Sequence, residues 1–195
     1  MLFVPVLSPT LTTDPGFHAL STDSGYTPSG LPDGSWLSFN VLNDLQYWNG
    51  SSFTAVPANE SLALQLGPSS VTVGTGTGAQ SGFLIGKVGP PSQSSQGLHV
   101  HLSSTITGPG GTNPTDGIYM FEMNLKLFSS DQVTPYPGVG ISEPFWVIYD
   151  HDLDNPNDPI DDAVAYQNSV VPEPSSLILA GFGAVMLLAT KRCKS

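Results

Sequence analysis

Cysteine is all but missing from this chain of 195 residues: the single one, Cys193, sits in a basic end, so the rest of the chain can form no disulfide of its own. Exported bacterial proteins often do without cysteine, so this scarcity leaves the compartment open. Positive charge is equally scarce and unevenly placed. Three of the five basic side chains, Lys191, Arg192 and Lys194, fall in the last five positions, whereas all 16 acidic residues lie at or before Glu173. Residues 1–174 therefore carry two cations, Lys87 and Lys126, against sixteen carboxylates, a formal balance of −14. Such a field repels phosphate backbones and offers no basic surface to release their counterions, which argues against nucleic acid as a partner and favours divalent cations. Amphipathic helical periodicity is lacking in the body as well. With Gly at 21 and Pro at 18, and Ser, Thr and Asn abundant, the composition suits short strands joined by many turns.

What is present follows a period of two. Trp36 to Leu42 places Leu37, Phe39 and Val41 on one face, and Leu62, Leu64 and Leu66 alternate in the same way. Short strand signals at 71–73 and 83–85 flank a turn-like Gly/Thr stretch at 74–78. Leu98, Val100 and Leu102 alternate with His99 and His101. From Ile118 to Phe128, Tyr119, Phe121, Met123, Leu125 and Leu127 alternate with Glu122, Asn124 and Lys126, predicting a strand with one wet face. Phe145 to Tyr149 is apolar on both faces and reads as a central strand. These features predict an all-β fold: an antiparallel β-sandwich body followed by a single C-terminal transmembrane-type helix. The expected division is a loose lead-in at 1–34, a sandwich body at 35–150, an acidic linker at 151–170 and a tail at 171–195. The apolar start, Met1 to Leu7, has no basic leader and is broken by Pro5, so the expectation is a true start upstream of this one.

Two places in the body could hold a metal. His99 and His101, two apart on a strand, share a face, and an antiparallel pairing with 118–128 would set Glu122 opposite His99, a His, His, Glu cluster suited to zinc. The alternative is a pair of solvent-facing histidines on an ordinary edge. The second place is the stretch 150–161, where Asp150, Asp152, Asp154, Asp158 and Asp161 occupy positions 1, 3, 5, 9 and 12 of a twelve-residue loop, the spacing of a calcium-binding loop. Asn155 stands at the sharp-turn position, Asp161 replaces the usual Glu, and no helix pattern flanks the loop, so a solvated acidic turn is the competing reading. No cofactor is required by either reading; calcium and zinc are the candidate ions. His18 and His151 stand alone in the sequence. No serine sits in a nucleophile elbow, and the glycines at 74–78 lack the helix and lysine of a phosphate loop, so no enzyme activity is expected.

The tail has the most specific pattern. Val171-Pro172-Glu173-Pro174 comes first, then 14 uncharged residues from Leu177 to Thr190, then Lys191, Arg192 and Lys194. The prolines fix an extended segment without internal hydrogen bonds, a shape that a processing enzyme can grip. Leu177, Ile178, Leu179, Phe182, Val185, Met186, Leu187 and Leu188 can enter lipid as a helix that satisfies its own backbone. At about 21 Å such a helix is short for a bilayer, which a transiently held sorting helix tolerates. The terminal cations would stay on the cytoplasmic side and stop translocation with the body outside. This order resembles the PEP-CTERM sorting signal of Gram-negative bacteria that make exopolysaccharide. The resemblance implies recognition of Pro172, Glu173 and Pro174 by an exosortase, an integral-membrane cysteine protease. It also implies anchoring at the inner membrane during sorting, and later residence at the cell surface or in an extracellular matrix, with exopolysaccharide as a neighbour.

Overall fold

The computed structural model of the protein describes residues 2–3, 11–12, 16–19, 30–89, 97–151 and 159–170. Strands dominate, and they form antiparallel sheets except at one edge. The longest strand, β12 (Gly117–Phe128), organises the larger sheet of seven strands. Its first half pairs on one side with β13 (Phe145–His151), with Tyr119 opposite Tyr149. On the other side it pairs with β4 (Trp36–Val41) through Met123 to Phe128, and with β5 (Gln46–Trp48) through Tyr119 and Met120. Outward from these lie β9 (Gln80–Lys87) on β4, β6 (Phe53–Ala55) on β5, and β1 (Leu2–Phe3), which joins β13 in parallel.

A second sheet runs β2 (Leu11–Thr12), β11 (Ser103–Thr107), β7 (Ser61–Leu66) and β8 (Ser69–Gly74). The two sheets share one core. Leu37, Phe39, Val41, Tyr119, Phe121 and Met123 from the first meet Leu62, Leu64, Val73, Leu102 and Ile106 from the second side, all buried. The period-two reading of 36–42, 62–66 and the odd-numbered positions of 118–128 names these inward residues, because burying one face fixes the register of a strand.

The even-numbered face of β12 departs from expectation. Ile118 and Met120 are buried, so the first half of this strand is dry on both sides. They are covered by α1 (Ile160–Val170), a helix in the stretch 151–170 expected to be an acidic linker, which packs Ala163 against Trp48, Ile118, Met120 and Ile148. Tyr166 adds an aromatic contact to Trp48, ring centroids 5.3 Å apart, and Asp161 and Asp162 in the first turn favour the positive end of the helix dipole. Glu122, Asn124 and Lys126, on the same face but beyond the helix, remain partly exposed as expected.

A third, two-stranded unit pairs β3 (Gly16–Ala19) with β10 (Leu98–His101). Phe17 is buried and stacks on Phe39, with ring centroids 6.2 Å apart and planes within 3°, and Leu98 is buried beside it. This apolar face closes one end of the main core.

Candidate functional site

The expected pairing of the histidine strand with 118–128 is not what forms. Both edges of β12 are already occupied, by β13 on one side and by β4 and β5 on the other, so β10 pairs with β3 instead. Glu122 is consequently separated from the histidines and belongs to another arrangement. Asn43 donates its Nδ2 to Glu122 Oε2 at 3.2 Å and accepts from the Glu122 amide at 2.9 Å. Partial burial holds the Glu122 carboxyl above its ordinary pKa. Among the described residues there is no group of three or more His, Cys, Asp or Glu side chains placed to hold a metal ion.

His99 and His101 do come together. Their Nε2 atoms are 2.9 Å apart on an exposed face, with ring centroids at 4.8 Å and planes tilted by 54°. The register of β10 against β3 sets His18 opposite His99 and Gly16 opposite His101. His18 is therefore not isolated in the fold. The signal that could have found it is Phe17 flanked by Gly16 and His18, one apolar residue between two non-core ones, in a segment otherwise dominated by turn formers.

Of the acidic stretch, Asp150 ends up buried near the end of β13 and Asp161 lies exposed in the first turn of α1. Asp152, Asp154 and Asp158 lie outside the described residues. His151, also buried, places Nε2 3.9 Å from Asp116 Oδ1, while its Nδ1 has no hydrogen-bond partner among the described residues.

Two carboxylates that sequence reading did not single out have fixed structural roles. Glu60, 2% exposed, accepts from the Thr115 amide at 2.6 Å, the Thr115 hydroxyl at 2.7 Å and the Tyr119 hydroxyl at 2.6 Å. Burial first, and then the hydrogen bond to Glu60, push the Tyr119 phenol far above its usual pKa, so it stays neutral and donating. Asp44 grips the turn between β8 and β9, accepting from the amides of Gly78 at 2.6 Å and Gly76 at 2.8 Å. These backbone bonds hold the Asp44 carboxyl below the ordinary 3.8. Gly76 and Gly78 both have positive φ, which is why glycine recurs at 74–78 where no phosphate loop exists. A cleft opens between β8 and β9, lined by Ser69, Ser70, Gln80, Ser81 and Phe83.

The sorting motif Val171 to Pro174, the apolar run Leu177 to Leu188 and the cations Lys191, Arg192 and Lys194 lie outside the described residues. Among the described residues no helix is long and apolar enough to cross a membrane. No curated protein and no solved structure matches the chain. One family does: residues 170–192 match the PEP-CTERM protein-sorting motif, which starts at the last residue of α1 and takes in the Pro-Glu-Pro segment, the apolar run and two of the three cations. A β-rich body is thus followed directly by a PEP-CTERM sorting motif, and that motif supports an exported protein processed by an exosortase.

Proposed function

We propose that the protein is a non-enzymatic component of the cell envelope or extracellular matrix, held in the inner membrane by its tail during sorting and then placed at the surface of a Gram-negative cell. The observation that carries this reading is the sorting motif beginning at residue 170, immediately after a body with its own core. The apolar run then serves as the temporary anchor, and Lys191, Arg192 and Lys194 keep its end cytoplasmic. Support for a non-enzymatic body comes from what its carboxylates do: Glu60 and Asp44 spend their oxygens on the fold itself. The cleft between β8 and β9, where Ser69, Ser70, Gln80 and Ser81 stand beside the apolar Val71 and Phe83, is the surface we assign to exopolysaccharide contact.

The test is expression of the full chain in a host with an exosortase and in the same host without it. Processing to a shorter form at the surface is expected only with the enzyme, and only when Pro172, Glu173 and Pro174 are intact. Replacing Glu173 with Ala should leave the full-length form in the membrane fraction. Equal processing of both forms in both hosts would refute the reading.

A further inference from the structure

We propose that the cleft between β8 and β9 selects neutral glycan chains and refuses acidic ones such as polyuronates. The inference deepens, and rests on, the assignment of this cleft to exopolysaccharide contact.

Charge comes first. The cleft has a volume of about 440 Å³, within the range of sites that hold small ligands, and none of its lining residues is ionisable. A glycan carboxylate entering it would need a cation to offset the water it leaves behind. Residues 1–174 have only Lys87 and Lys126 to offer; neither lines the cleft, and Lys126 already stands over the Phe128 ring, 4.6 Å from its centroid. The formal balance of −14 over the same residues repels polyanions at longer range as well.

What lines the cleft suits an uncharged sugar. Phe83 is half-buried against Phe39, with ring centroids 4.7 Å apart and planes tilted by 33°, so the core fixes its ring. The electron-rich face of such a ring attracts the weakly positive C–H groups on the flat side of a pyranose. Ser69, Ser70 and Ser81 are exposed, and their hydroxyls can both donate and accept, as sugar hydroxyls do.

Strand addition by a peptide is the competing use of two sheet edges, and these edges are ill suited to it. Phe39 pairs with Phe83 and Val41 with Gln80, so Ser81 and Gly82 together face the single Asn40 in a bulge. A bulge interrupts the ladder that an added strand must continue. Gly82 has φ +88°, and its amide is bound to Asn40 Oδ1 at 3.3 Å. Gln80 donates its Nε2 to the Thr72 carbonyl at 2.7 Å, which occupies a backbone acceptor of β8 and ties the two strands together. Recognition here therefore falls to side chains.

The experiment uses the full chain from a host lacking exosortase, kept in a detergent without a sugar head group. It is passed over short immobilised glucans, mannans and galactans, with alginate and polygalacturonate fragments and a Thr-Val repeat peptide beside them. Retention by neutral glycans alone is expected. Phe83→Leu, which keeps an apolar contact with Phe39 but removes the ring, and Ser81→Ala should each weaken that binding roughly 2–10-fold. Ser81→Lys places a cation in the cleft and should admit the polyuronates. Equal or stronger retention of the unaltered chain by polyuronates overturns the selectivity while leaving the glycan contact standing. No retention by any glycan overturns both. Neutral binding unchanged by Phe83→Leu and Ser81→Ala overturns the cleft as its place, and retention by the peptide in place of glycans makes this a strand-adding edge and overturns the proposal too. Exosortase processing does not enter, so the sorting role is judged separately.

Discussion

Replacing Glu60 tests whether the body is held by its buried polar network as well as by its apolar core. Glu60→Ala removes the acceptor shared by the Thr115 amide, the Thr115 hydroxyl and the Tyr119 hydroxyl. Thr115 is exposed, so its two donors can turn to water, and the buried Tyr119 hydroxyl keeps only the neutral Thr115 carbonyl as its acceptor in place of the carboxylate. One hydrogen bond to a charged group contributes about 1.5–3 kcal/mol, and removing the carboxylate also removes its own desolvation cost, so the net loss belongs at the lower end. For a chain of this size each kcal/mol lowers Tm by about 2–4 °C, giving a fall of roughly 3–8 °C. Glu60→Gln should cost less than about 1 kcal/mol. Its carbonyl oxygen can keep both Thr115 bonds, and its amide can donate to Tyr119 while the phenol donates to the Thr115 carbonyl. A double-mutant cycle with Tyr119→Phe, followed by urea unfolding of the full chain in detergent on Trp fluorescence, isolates the bond. Coupling above about 1 kcal/mol is expected, and additivity within about 0.5 kcal/mol would refute the argument.

Asp44 supplies a pH signature. Its folded pKa is depressed by the Gly78 and Gly76 amides, so its contribution is present above the unfolded value near 3.8 and is lost as pH falls through the still lower folded value. Asp44→Asn should therefore remove part of the stability lost below pH ~4 and leave the alkaline limb unchanged, read as denaturation midpoints against pH. Gly117→Ala should destabilise by about 2–4 kcal/mol, because the position has φ +143° and the new Cβ would meet Tyr47 Oη at 2.6 Å. Gly76→Ala, strained at φ +73° but in open space, should cost only about 1 kcal/mol, and equal costs at the two sites would dismiss the steric term. Tyr166→Ala should loosen α1 from Trp48 and Phe53 at a cost of about 2–3 kcal/mol, seen as faster amide exchange over 160–170 with the β12 core still protected.

Strand phase was legible because a sheet residue either faces the core or does not. Leu37, Phe39, Leu62, Leu64, Phe121 and Met123 needed no knowledge of partners to be assigned inward. Partners themselves were not legible. Pairing depends on competition for edges, and the four residues of β3 carry too weak a pattern to be chosen over β12 as the neighbour of His99. Helix α1 was hidden for another reason. Its apolar side is only Ile160, Ala163, Val164 and Tyr166, set among two Asp, Asn and Ser, which any periodicity count discounts. The hint lay elsewhere, in Ile118 and Met120 on a face read as wet, with Trp146 and Ile148 of a strand apolar on both faces: such side chains mean that something covers them. Glu60 was illegible because nothing in Asn59-Glu60-Ser61 distinguishes a buried carboxylate from a solvated one until Thr115 and Tyr119 arrive from 55 and 59 residues away.

The uneven charge and the tail have one physical explanation. A positive stop at the end of a short apolar helix works by contrast: orientation is set by the difference in Lys and Arg on its two flanks, and acidic residues count for little. On the proposed topology the flank that must cross is the body, and from residue 127 to 190 it holds not one Lys or Arg. The same rule bears on α1. A cation in its last turn would favour the negative end of the helix dipole by a few tenths of a kcal/mol, yet none is present. Placed there, it would stand within ten residues of Leu177 and weaken the contrast on which the orientation depends. The helix instead takes its dipole stabilisation from Asp161 and Asp162 at the other end, and its hold on the body from Ala163 and Tyr166. A body that crosses a membrane on this topology is thereby left strongly anionic, so its surface attracts cations once outside the cell.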